Sequence, residues 1–70
     1  MVALVNQEEL MSKAKENIIR FASHPIDPDA LVEKVINEGI DEYFVRAALW
    51  SLLDRGRIQE TSNRQLVAWA

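Results

Sequence analysis

The amino-acid sequence predicts a mostly α, α+β domain in which three short helices are closed by a C-terminal β-hairpin. Three observations carry that expectation. Three segments of helical apolar period each follow a residue suited to capping a helix: Asn6, Asp27 and Asp41. Each cap has an aliphatic residue just before it and another four positions after it, pairing Val5 with Leu10, Ile26 with Leu31 and Ile40 with Val45. This is hydrophobic-staple spacing, which fixes the angle at which a chain runs into a helix. After Gly56 the pattern changes period, as a strand pair requires.

The first helix is expected over 7–23. Asn6 caps it, and Glu9 completes a capping-box pattern three residues later. Its apolar stripe is Leu10, Ala14, Ile18 and Phe21, flanked by Met11, Ile19 and Ala22, and Pro25 disfavours helical geometry at His24. The second helix is expected over 28–38. Asp27 is its cap, and Pro28 takes the first helical position, where a missing N–H costs nothing. Leu31, Val32, Val35 and Ile36 form its buried face, and Gly39 is the left-handed stop. The third runs over 42–55, from the cap Asp41 to Gly56. The hairpin occupies 57–69, turning at Ser62-Asn63 and setting Ile58 opposite Val67. No Asn-Gly pair pins that turn, so its register is free to slip.

Seventy residues make one domain, 1–70, and a chain of this size buries about 60% of the surface its unfolded form exposes. Hydrophobic content of 49% with 27% charged residues is ordinary for a globular protein. The absence of cysteine excludes disulfides, thiolate metal sites and a cysteine nucleophile. The single histidine, His24, cannot form a histidine cluster. No glycine-rich phosphate loop is available with two glycines, and the paired carboxylates Glu8-Glu9 and Asp27/Asp29 sit where a helix start favours negative charge anyway. Catalytic residues, a metal and a cofactor are therefore not expected. Met1 to Val5 is apolar but short, lacks a basic leader and is a poor signal peptide, so a cytoplasmic location is the expectation. Net charge is −3, and all four cations of residues 41–70 are arginines, set against four acids.

The order of elements resembles the winged helix-turn-helix superfamily, and residues Ile18 to Trp69 carry the resemblance. Ile26-Asp27-Pro28-Asp29-Ala30-Leu31-Val32-Glu33-Lys34-Val35 looks like the strand and second helix of bacterial winged-helix regulators, and Gly39-Ile40-Asp41 like the turn. Val45-Arg46-Ala47-Ala48-Leu49-Trp50-Ser51-Leu52-Leu53-Asp54-Arg55-Gly56-Arg57-Ile58 looks like the third helix running into the wing. The resemblance implies a third helix placed in the major groove of double-stranded DNA, with the wing touching the neighbouring backbone or minor groove. It also implies that a minority of such domains bind proteins or dimerise instead. Fold alone does not choose between these.

The outward side of the third helix bears on the choice. At 100° per residue, Val45, Ala48, Leu49, Leu52 and Leu53 cluster inward, while Tyr43, Ala47, Trp50 and Asp54 face out, with Arg46 and Ser51 at the margins. A base-reading helix needs hydrogen-bond donors there. Here the centre of the stripe is aromatic, and Asp54 repels phosphate. Tyrosine and tryptophan beside one arginine instead match the composition of a protein-interface hot spot. Trp50 itself is either such an anchor or a core residue covered by the wing or the N-terminal segment.

At the wing tip, Ser62, Asn63 and Arg64 suit a loop that touches phosphate, and equally suit plain turn chemistry with a solvated charge. Arg55 and Arg57 are expected to pair with the helix end and neighbouring acids. Two readings follow. The first is a DNA-binding transcriptional regulator, dimeric, using Tyr43, Arg46, Ser51, Asn63 and Arg64. The alternative is a protein-interaction module presenting Tyr43, Ala47 and Trp50 to a partner.

Overall fold

The structure, a computed structural model, describes residues 7–68. Helix α1 is Gln7–Phe21, α2 is Pro28–Ile36 and α3 is Glu42–Asp54, followed by strands β1 (Ile58–Glu60) and β2 (Leu66–Ala68). The three expected helices and the antiparallel hairpin are all present, in the expected order. The Asn6 cap, the Val5–Leu10 staple, the apolar stretch before them and the Trp69 end of the hairpin lie outside the described residues.

Asp41 caps α3, its Oδ1 accepting from the Tyr43 amide at 2.8 Å. Asp27 holds the N-cap position of α2 with extended backbone, but its side chain makes no capping bond. The expected side-chain cap is corrected there. Pro28 at the first position removes one orphan donor of the helix start, though not the second- and third-position donors that such a cap serves. The remaining two staples both reach the core: Ile40, Val45 and Leu31 are buried, and Ile26 packs against them.

Helices α1 and α2 stop two residues short of the expected ends because their last turns tighten. Ser23 N bonds to Arg20 O, Glu38 N to Val35 O and Gly39 N to Ile36 O, all i to i−3. The α3 terminus is a Schellman motif: Arg57 N reaches Leu52 O at 2.9 Å, Gly56 N reaches Leu53 O at 3.1 Å, and Gly56 sits at φ +73°.

The hairpin register differs from the expectation. Ile58 pairs with Ala68, Gln59 with Val67 and Glu60 with Leu66, one residue away from the Ile58–Val67 pairing. The cause is the turn. Arg64 N bonds to Thr61 O at 3.0 Å and Thr61 N to Gln65 O at 2.7 Å, while Arg64 adopts φ +62°. This is a three-residue loop, a turn followed by a left-handed residue, and not a two-residue turn at Ser62-Asn63. The Thr61 hydroxyl oxygen steadies it by accepting from the Gln65 and Asn63 amides.

Ile26 joins the sheet from the other side. It exchanges two backbone bonds with Leu66, N to O at 2.9 Å and O to N at 2.7 Å, forming an isolated antiparallel bridge. The loop before α2 is thereby fastened to the wing. Beneath it lies one core built from α1 (Ala14, Ile18), α2 (Leu31, Val32, Val35), α3 (Val45, Ala48, Leu49, Leu52) and the strands (Ile58, Leu66). Ile18, Leu31 and Ile58 are among its largest fully buried side chains, each stabilising the fold by about 1.5–3 kcal/mol. At the far end, Arg20 bridges α1 to Glu38 at 3.1 Å and lies 4.8 Å over the Phe21 ring. Among the described residues, no helix is long and apolar enough to cross a membrane.

Candidate interaction face

The core residues of α3 leave its opposite side to solvent, and this side carries the candidate residues. Tyr43, Ala47 and Trp50 are spaced i, i+4, i+7 and form one stripe. Tyr43 and Trp50 are each 72% exposed and are the large exposed hydrophobics among the described residues. Neither the wing nor another described element covers Trp50, and the N-terminal segment, its other expected cover, lies outside the described residues. Tyr43 is braced by Phe44, whose ring meets it edge-on at 5.3 Å. Phe44, half-buried against the core, was not singled out in the sequence, although its place between Tyr43 and the buried Val45 marks it as a boundary residue.

The margins of the stripe are occupied differently from one another. Arg46 donates from Nε to Glu42 Oε2 at 2.6 Å, an i,i+4 pair, so this guanidinium already has an acid partner. Ser51 is half-buried and lines a shallow cleft with Ala47, Trp50, Leu53 and Asp54.

On the α2 side of Trp50 lies a cavity of about 370 Å3 shared by α2, α3 and the wing. Val32, Leu49 and Leu66, all at least nine-tenths buried, line it with Leu53; Trp50 and Arg46 stand on the α3 side, and Asp29 and Glu60 bring acids from α2 and β1. A neighbouring cleft adds Glu33 and Glu42 to the same side of the molecule. The clefts bordering this face therefore gather Glu8, Asp29, Glu33, Glu42, Asp54 and Glu60 against Lys15 and Arg46, and Arg46 is paired with Glu42.

The wing tip is a separate place. Asn63 and Arg64 are exposed there, and they are not among the walls of the cavity that joins α3 to the wing. The structure thus brings Tyr43, Ala47 and Trp50 together, with Arg46 and Ser51 beside them, and leaves Asn63 and Arg64 apart. Arg55 and Arg57 also depart from expectation. Among the described residues neither has an acid within ion-pairing distance; the helix end is closed by backbone bonds instead.

The fold and face together define a small three-helix domain with a β-hairpin wing and an aromatic, acid-flanked outer helix. Comparison of the chain with family models, with curated proteins and with solved structures returned no match.

Proposed function

We propose that this chain is a protein-interaction module on a winged-helix scaffold, using the outer face of α3 as its docking surface. The observation that carries this is the Tyr43–Ala47–Trp50 stripe, with both aromatics 72% exposed. Exposed tryptophan and tyrosine beside an arginine are what interface hot spots are made of, because large rigid rings bury much area at little entropic cost.

The electrostatics favour protein over DNA. Duplex DNA is held by cations that displace counterions from phosphate. Around this face six acids stand against Lys15 and Arg46, and Arg46 is engaged by Glu42. The DNA-binding regulator reading keeps one supporting observation, the exposed Arg55, Arg57 and Arg64 without ion-pair partners among the described residues.

A binding titration against random duplex DNA at about 50 mM salt separates the readings, since phosphate-driven affinity is greatest there. The interaction module gives no saturable binding. Binding that weakens steeply as salt rises, and that is lost on Arg64→Ala, establishes the DNA reading instead.

A further inference from the structure

We infer that the occupant of the cavity between α2, α3 and the wing is a basic segment of a partner protein that carries an aliphatic anchor. This rests on the interaction reading above and names the partner's chemistry. The apolar part of the cavity is lined by Val32, Leu49, Leu53 and Leu66, which suits an apolar side chain, while the polar groups of Asp29, Arg46 and Glu60 stand beside it. Trp50 stands at its edge with its ring largely in solvent, positioned to close over an inserted side chain.

Charge selects what flanks the anchor. Asp29 comes from α2 and Glu60 from β1, and each is exposed. Asp54 follows on the far side of Trp50, and Glu33 lies one helical turn beyond Asp29. Arg46, the cation on these walls, is compensated by Glu42 at 2.6 Å. A segment with lysine or arginine on either side of a leucine meets opposite charge at both ends, whereas an acidic segment is repelled. A second copy of this chain, with its own net charge of −3 and the same acids on this face, is a poor match for the cavity.

The test is fluorescence anisotropy of three labelled synthetic peptides with the full chain: alternating Lys/Leu, the same peptide with leucine replaced by serine, and a Glu/Leu counterpart. The Lys/Leu peptide binds, and D29N/E60Q weakens it by roughly tenfold. The Lys/Ser peptide binds far more weakly, which separates a filled cavity from mere charge attraction. Equal binding of Lys/Leu and Lys/Ser, or no binding of either, overturns the inference. If the Glu/Leu peptide binds and Trp50→Ala abolishes that binding, the partner chemistry named here is wrong while the interaction reading stands. Sedimentation of the chain alone that shows a dimer broken by Trp50→Ala also overturns it, in favour of a second copy. If duplex DNA binds and no peptide does, the interaction reading itself falls. Circular dichroism of D29N/E60Q shows an unchanged fold, since both positions are exposed.

Discussion

Arg46 and Glu42 are joined on the outer side of α3, Nε to Oε2 at 2.6 Å, one helical turn apart. The pair neutralises the single arginine of the face and leaves the nearby acids to set its charge. Both side chains are more than half exposed, so the bond matters for the character of the surface far more than for its stability. An exposed i,i+4 pair is worth about 0.3–0.5 kcal/mol. Glu42→Gln is therefore expected to lower the unfolding free energy by no more than about that amount in a urea titration. If it also confers duplex-DNA binding, the Glu42 carboxylate was what held Arg46 inactive toward phosphate.

Trp50→Ala and Tyr43→Ala are expected to change stability by less than about 0.5 kcal/mol each, the usual range for surface positions. A thermal melt checks this. A loss above about 2 kcal/mol at Trp50 would mean that the ring is covered, and the docking stripe would lose its centre.

Leu66 tests the join between wing and helices. It is 4% exposed, pairs with Glu60 across the hairpin and bridges to Ile26 on its other edge. Leu66→Ala leaves the backbone bonds possible but opens a cavity in the core. The expected loss is about 2–4 kcal/mol, a large share of what a domain of this size has, and a urea titration measures it.

Two left-handed residues carry predictions of opposite sign. Gly56 sits at φ +73° with nothing within 4 Å of a built Cβ, so the only penalty for alanine there is conformational. Gly56→Ala should cost about 1–2 kcal/mol. Arg64 already bears such a penalty at φ +62°. Arg64→Gly relieves it, and should raise the melting temperature by a few degrees, less the entropy that glycine adds to the unfolded chain. Equal effects of the two changes would contradict the turn geometry described here.

The helices and the stripe on α3 were legible because both are periodic. Caps, staples and the 100° advance are local signals, and Asp41, Ile40 and Val45 behave as those signals require. The hairpin register was not legible, because it depends on an arginine in the left-handed region, a position where sequence ordinarily advertises glycine. The Glu42–Arg46 pair was present in the spacing but masked by reading Arg46 as a free reader of bases. The cavity beside Trp50 was out of reach altogether. Its walls come from Asp29, Leu49 and Glu60, which only the Ile26–Leu66 bridge and the packing of α2 on α3 bring to one place.

The central claim is that the outer face of α3 receives protein and not DNA. The most direct measurement is a pair of nitrogen–proton NMR titrations of the full chain at about 50 mM salt, where phosphate contacts are strongest. One uses the Lys/Leu peptide, the other random duplex DNA. The account predicts that the peptide shifts the Trp50 indole signal and the Ala47 and Leu53 amides, while DNA shifts nothing. DNA-induced shifts at Arg46, Ser51, Asn63 and Arg64, with the Trp50 signal unmoved by peptide, would contradict it.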